Sequence, residues 1–383
     1  MTTMRAAVLE DVGRIVVRDV PRADPGPTEV LVRVQAVGLC GTDLHIVQGH
    51  GNYNTDDRGR QIPLAVHPQI LGHEIAGVIE STGAKVRGLA VGDRVVVDQG
   101  RTCVSDGRVP VCEYCTSGDS HQCEHYRELG ITGLPGGFAE YVTVPATNAV
   151  PLQSTLPAEQ AALTEPFGCI LHSIDLVRRS GARYSRDATD ATRRTRAVLI
   201  AGGGPAGLLF LQYLRSEGAF DGLIMVSEPN PLKRSLAERW GAVAVDPSAS
   251  NLVDVVMERT HGRGVELLIE ASGSGALFRD MPGLIRKQAT VLLYGHGHTG
   301  VELGVLNQVQ FREPTFVSPA GASGGHDSGG RPLTYLHALQ LLEDGTIDVA
   351  PLITHRYHAL DDLPRAFGGE HRRPDYVKGI LLL

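Results

Sequence analysis

The stretch "RAVLIAGGGPAGLLFLQYLRSEGA", residues 196–219, decides how the second half of the chain is built. It reads as a buried strand over "AVLIA", a glycine turn, and then a helix. Gly202, Gly204 and Gly207 stand in a G-x-G-x-x-G frame, with Pro205 opening the helix. Such a frame is weak alone but carries weight in a strand–turn–helix setting. The first glycine permits the tight turn, and the second lets the backbone approach a pyrophosphate. The third lets helix and strand pack closely, and the helix N-terminus faces the phosphates with its positive dipole end. Downstream, "LIMVSEPN" puts Glu228 at the end of the next strand, 21 residues after Gly207. A carboxylate there accepts from both ribose hydroxyls and repels a 2′-phosphate, which favours NAD over NADP. Lys233 and Arg234 lie close enough to soften that preference, and Arg234 is counted with the cofactor-binding residues.

Outward from this turn the texture stays the same. "LIMVSEPN", "VAVD", "VELLIEASG" and "ATVLLYG" are strand-like and are separated by helix-like segments such as "PLKRSLAERWGA". Strands alternating with helices predict a parallel doubly wound sheet. The first 160 residues differ, being rich in short β-like runs such as "RIVVRDV", "EVLVRVQAVG" and "DRVVVD". They predict a twisted, partly closed, mostly β unit. After about residue 320 a Gly/Ser-rich loop leads to a helix over "LTYLHALQLLEDG", and the apolar end "YVKGILLL" predicts a strand that packs back onto a sheet. Residues 178–196, polar and Arg-rich, read as a solvated loop between domains.

The 383 residues allow two to three domains. No apolar run approaches the roughly 18 residues of a membrane span, and the N-terminal stretch lacks the layout of an export signal. A net charge of −7 disfavours nucleic acid and anionic membranes as partners. The expected location is cytoplasmic, where the six cysteines stay reduced and clustered ones point to metal.

Two sets of metal-ligand residues stand out. In "QILGHEIAGVIE", residues 69–80, His73 and Glu74 adjoin at the entrance to a strand. Cys40 lies upstream in "GLCGTDLH", and Glu165 downstream in "TEPFGCILH". Cysteine, histidine and carboxylate suit zinc. Their spread shows no metal-site spacing, and on residue types alone a buried thiol and a core histidine are the plainer reading. The second set is Cys112-x2-Cys115-x7-Cys123, with Cys103 nine residues before Cys112. Clustered cysteines of low pKa are seldom left without metal.

"GLCGTDLH", "GHEIAGVIESTG", "VGDRVVV", "GGFAEYV", "EPFGCILH" and "AGGGPAGL" occur in this order over nearly the whole chain. Together they resemble the zinc-dependent medium-chain alcohol dehydrogenases, in the branch of polyol, sugar and threonine dehydrogenases. The resemblance implies a GroES-like, mostly β catalytic domain over residues 1–166 and 320–383, with a structural-zinc lobe at about 100–125, and a Rossmann NAD-binding domain over 167–319. It implies two zinc ions per chain. The catalytic one is held by Cys40, His73 and Glu74 or Glu165, with Asp43 as a partner for the histidine, and the structural one by Cys103, Cys112, Cys115 and Cys123. Eight residues between Cys103 and Cys112, where the family usually has two, leave His121, Glu113 or His125 open as the fourth ligand. The implied reaction passes hydride from a secondary alcohol of a polyol, cyclitol or sugar to NAD, giving a ketone. Thr42 and His45 match the family's proton-relay positions. A threonine-type amino-alcohol dehydrogenase and an NADP-dependent reductase are the alternatives. The implied assembly is a homodimer or homotetramer. The loop between Cys40 and His73 is longer than the family's and is polar, which suits either a multi-hydroxyl substrate or plain solvent. His296 and His298, after the fifth strand of the parallel sheet, either cap a loop or contact substrate.

Overall fold

The structure of the protein, a computed structural model, describes residues 2–298, 300–301, 303–322 and 324–383. The chain separates into two units, Met1–Cys169 with Gly321–Leu383, and Ile170–Ala320. The expected divisions stand at 166/167 and 319/320. The first lies inside the helix Thr164–Arg179, where no change of composition marks it.

The first unit begins with the antiparallel hairpin β1 (Thr3–Asp11) and β2 (Arg14–Pro21). β3 (Glu29–Gly38), β4 (Glu74–Thr82), β5 (Arg94–Val97), the short pair β6 (Gly100–Arg101) and β7 (Arg127–Glu128), β8 (Tyr141–Pro145) and β9 (Ala149–Pro151) follow. In the second unit, β10 (Ala197–Ala201), β11 (Leu223–Ser227), β12 (Val243–Val245), β13 (Val265–Glu270), β14 (Ile285–Leu293) and β15 (Thr315–Val317) all run parallel. The chain then returns to the first unit for β16 (Ile353–Tyr357) and β17 (Lys378–Leu382).

The main sheet of the first unit has the order β16-β17-β3-β4-β5-β9, with β8 also paired to β3. β3 is central, so nearly all of "EVLVRVQAVG" is buried, with Arg33 its exposed residue. Val30, Val32, Ile75, Ile79, Val95 and Val97 from three neighbouring strands form the centre of its core. Each such side chain contributes about 1.5–3 kcal/mol by leaving water. The C-terminal strand β17 slots between β16 and β3, pairing Leu381 with Val37. That register carries Lys378 into the sheet interior.

The second unit has the order β12-β11-β10-β13-β14-β15. β10 is buried at all five positions, as a strand covered on both faces must be. Strand order reverses beside β10, and the crevice at the carboxyl ends of β10 and β13 is where such sheets take ligands. The Arg-rich segment read as a solvated loop is pinned to this unit. Tyr184 is buried in it, with Arg183 and Arg286 over its ring, and Arg186 Nη1 donates to the Gly218 carbonyl at 2.7 Å. Among the described residues no helix is long and apolar enough to cross a membrane.

Candidate functional site

Cys40 precedes the short helix Gly41–Val47, and its backbone N–H donates to Asp43 Oδ2 at 3.0 Å. The other oxygen of Asp43 accepts from Gly72 N–H at 3.1 Å and lies 3.4 Å from His73 Nδ1. One buried carboxylate therefore ties the Cys40 turn to the His73 turn across 29 residues of chain. Gly72 has φ +88, and a side chain there would strike the Phe138 ring at 2.8 Å, so the turn that delivers His73 requires glycine. Glu74 is the first residue of β4 and pairs with Gly38 on β3. A side chain at Gly38 would collide with Glu74 Oε2. Lys378 Nζ, from β17, donates to Glu74 Oε1 at 2.5 Å, with both side chains buried.

The donor atoms of Cys40, His73 and Glu74 all lie within 4.8 Å of one another. Donors of a single tetrahedral zinc stand roughly 3.3–3.8 Å apart, so the three need shifts of at most about 1.5 Å to share an ion. Glu74 Oε2 is buried with no hydrogen-bond partner among the described residues. Burial opposes protonation of His73, but the charges of Asp43 and Cys40 outweigh it and hold its pKa well above the usual value. Burial likewise opposes the charge on Lys378, and Glu74 and Cys40 raise it. The pocket is thus short of positive charge. A thiolate, an imidazole and a carboxylate converging there fit a zinc ion.

Glu165, in the first turn of the helix Thr164–Arg179, stands outside that trio. Its Oε1 accepts from Gln99 Nε2 at 2.8 Å and from Cys169 Sγ at 3.4 Å. Tyr335 Oη in turn donates to Gln99 Oε1. Burial pushes the Glu165 pKa up to about 7; His73 and Lys378 pull against this and Glu74 adds to it. Asp98 is pushed up to about 7 as well, by burial first, against the Gly100 amide, with Glu165 and Glu128 adding repulsion. Thr42 and His45 share the helix of Cys40. Cys40 Sγ lies 3.7 Å from Thr42 Oγ1, and the half-buried His45 ring stands 6.0 Å from that of the exposed His50.

Cys103, Cys112, Cys115 and Cys123 form the second convergent group, and all four are free thiols. Cys123 Sγ lies 3.6 Å from Cys103 Sγ and 3.8 Å from Cys112 Sγ. Four sulfurs around zinc at 2.3 Å stand about 3.8 Å apart. The extra residues between Cys103 and Cys112 form a turn closed by Arg108 N–H to the Cys103 carbonyl at 2.9 Å. They leave Cys103 beside the other three, whereas His121, Glu113 and His125 are not in the group. Cys112 is lowered to about 6, chiefly by the Cys115 backbone N–H, while burial raises Cys103 and Cys115.

In the second unit, Gly202, Gly204, Glu228, Lys233, Ala271 and Ser272 line a cavity of about 670 Å³. Gly202 has φ +102, and a side chain there would meet the Ala271 carbonyl at 2.8 Å. Gly204 precedes the helix Pro205–Arg215, and a side chain there would meet nothing within 4 Å, so the space in front of the helix is open. A side chain at Gly207 would collide with the Gly202 carbonyl. Glu228 Oε2 accepts from Gly203 N–H at 2.8 Å and Oε1 from Asn230 N–H at 2.9 Å, fixing the carboxylate at the cavity wall. Arg234 turns elsewhere: its Nη1 bonds the Glu228 and Pro229 carbonyls at 2.9 and 2.6 Å and pairs with Asp246 at 3.0 Å. Among the described residues, Lys233 is the cation that lines the cavity.

Sequence reading did not find Lys378, Gly38, Gln99 or Asp98. A lysine inside the apolar "YVKGILLL" and a polar pair directly after "RVVV" were the visible signals. The polar loop between Cys40 and His73 satisfies much of itself. Asn54 Nδ2 meets His67 Nδ1 at 2.9 Å, and Asn52 Nδ2 donates to the Ile62 carbonyl at 2.7 Å.

Comparison with known proteins fits both units. Residues 26–154 match the alcohol dehydrogenase GroES-like domain, and residues 205–341 match zinc-binding dehydrogenase. The chain is 33% identical over 350 residues to an L-threonine 3-dehydrogenase of Pyrococcus abyssi, covering 91% of this chain and 89% of that one. A zinc-binding dehydrogenase of Sinorhizobium meliloti, solved bound to NADP, is 30% identical with a TM-score of 0.79 over the full length of both chains. The 2R,3R-butanediol dehydrogenase of Bacillus subtilis is 26% identical with a TM-score of 0.77, over 99% of each chain. The chain belongs to the zinc-dependent medium-chain alcohol dehydrogenase family and is an oxidoreductase that works with zinc and a nicotinamide cofactor.

Proposed function

We propose that this enzyme oxidises a secondary alcohol of a polyol, cyclitol or sugar-like molecule with NAD, and that Cys40, His73 and Glu74 hold its catalytic zinc. The observation that carries the ligand assignment is the convergence of those three donors, together with a buried oxygen of Glu74, Oε2, that lacks a partner among the described residues. Asp43 orients His73, and Lys378 balances Glu74. Glu165 is the alternative carboxylate, hydrogen-bonded by Gln99 and with its pKa pushed up to about 7 by burial.

When bound, zinc supplies Lewis acidity that makes an alcohol hydroxyl easier to deprotonate, and the nicotinamide ring accepts the hydride. The chain's own residues do the rest. Thr42 accepts the hydroxyl proton as it gives up its own, and His45 takes up the released proton and carries it toward solvent, a task an imidazole suits near neutral pH. In the second unit the Gly202–Gly207 turn admits the pyrophosphate, and Glu228 accepts from the ribose hydroxyls. NAD is favoured because the Glu228 carboxylate is held by two backbone amides and Arg234 is engaged with Asp246. Cys103, Cys112, Cys115 and Cys123 hold a structural zinc that braces their loop. Six cysteines without an evident export signal support a cytoplasmic location, where thiols stay reduced, and the family resemblance supports a homodimer or homotetramer.

The identity to threonine 3-dehydrogenases supports a second reading, an amino-alcohol substrate. One panel separates the two: polyols, cyclitols, sugars and L-threonine, each with NAD and with NADP, scored by absorbance of the reduced cofactor before and after chelation. Turnover of polyols with NAD that chelation abolishes is the expected result. Exclusive turnover of L-threonine overturns the polyol reading, and activity that survives zinc removal overturns the ligand assignment.

A further inference from the structure

Glu270 ends β13 with its side chain fully buried. Its Oε1 accepts from Ser272 N–H at 2.8 Å, Ser272 Oγ–H at 2.6 Å and Gly273 N–H at 2.9 Å, so one oxygen shapes the whole loop after β13. Its Oε2 faces His298 Nε2 at 2.8 Å. The Glu270 carbonyl also accepts from Tyr294 and Gly295 N–H, at 2.9 and 2.8 Å. His298 stands edge-on against Phe278, with ring centroids 5.0 Å apart. The loops after β13 and β14 are in this way stitched together by one carboxylate and one imidazole. They pack so closely that a side chain at Gly295 would collide with Glu270 Oε2, and one at Gly273 with the His296 carbonyl. The first of these loops is not peripheral, since Ala271, Ser272 and Ser274 wall the cavity that Gly202, Gly204 and Glu228 line from other sides.

We propose that His298 is a positioning residue for the dinucleotide: by closing on Glu270 it fixes the 271–274 wall of the coenzyme cavity before the coenzyme arrives. A wall ordered in advance does not have to be ordered on binding, and that difference appears as affinity. Without the imidazole, Glu270 Oε2 loses the partner that faces it across the two loops, while Oε1 keeps its three donors. The loss is then confined to the junction of the loops. The inference rests on the reading of this cavity as the nicotinamide-dinucleotide site.

The test uses the zinc-loaded full chain with His298→Ala and His298→Gln, whose amide nitrogen reaches about where Nε2 stands. NADH affinity is measured by fluorescence, KM for NAD and kcat by steady-state kinetics, and thermal midpoints without coenzyme. Removing a hydrogen bond to a buried charge predicts that His298→Ala raises the Kd for NADH and the KM for NAD about tenfold. The change in kcat should be much smaller, the coenzyme-free midpoint should fall by only a few degrees, as the loss of one hydrogen bond allows, and His298→Gln should restore most of the affinity. A Kd changed less than about twofold in His298→Ala overturns the proposal. So does a glutamine variant as weak as the alanine one, or a fall in the coenzyme-free midpoint large enough to explain the lost binding. A wild-type chain that binds no dinucleotide rejects the reading of the cavity instead.

Discussion

Lys378→Met is the most informative substitution in the first unit. Lys378 and Glu74 are 5% and 0% exposed at the side chain and 2.5 Å apart. Their union buries two charges that are costly to hide singly. Removing the ammonium leaves Glu74 with a buried charge, and breaking such a pair from one side costs about 3–5 kcal/mol. For a unit of about 230 residues that corresponds to a fall in melting temperature of roughly 6–20 °C. The fall should be largest in chelated protein and shrink by more than half when zinc is restored, because the cation replaces the missing positive charge. Adding Glu74→Gln to Lys378→Met should recover most of the stability, since neither charge is then present. Calorimetry of wild type, both single variants and the double variant, each with and without zinc, closes the cycle. A double variant as unstable as Lys378→Met alone would refute the reasoning, because the cost would then come from packing of the lysine stem rather than from a stranded carboxylate.

Three further outcomes are expected. Cys112→Ser should lower zinc from two ions per chain to one by metal analysis and reduce thermal stability more than kcat; two ions retained would dismiss the four-thiolate site. Asp98 and Glu165 both have folded pKa values raised to about 7, so between about pH 4 and pH 7 the folded chain binds more protons than the unfolded one. Stability of the chelated protein should therefore fall by several kcal/mol as pH rises through that window, and Asp98→Asn should flatten the slope; urea titrations across this range that leave the slope unchanged count against it. His45→Ala should lower kcat near neutral pH by about 10²-fold, with partial rescue by added imidazole or another external base. An unaltered pH profile would remove His45 from the proton path.

The parts of this protein that were legible in its sequence are those set by neighbours along the chain. The turn at Gly202, Gly204 and Gly207 follows from backbone dihedrals, sterics and helix dipoles that act over a handful of residues, so its strand–turn–helix setting could be read directly. Cys112, Cys115 and Cys123 lie in one loop, and their spacing survives in the text. The apolar C-terminus announced a strand for the same reason, since an apolar run without water must find a sheet.

Tertiary structure decided everything that depends on which strands lie side by side. Gly38 meets Glu74 because β3 and β4 pair in that register, and Lys378 meets Glu74 across 304 residues because β17 inserts beside β3. Pairing of this kind is selected by burial of whole strands and leaves no spacing to recognise. The choice of Glu74 over Glu165 as the carboxylate nearest Cys40 and His73 was invisible for that reason. So was the fit of Cys103 to its three partners across an interval longer than usual. The clasp of His298 on Glu270 joins loops at the ends of two strands that are neighbours only in the sheet. Where chemistry needs local backbone geometry, sequence suffices; where it needs groups gathered from distant strands, only the packed sheet brings them together.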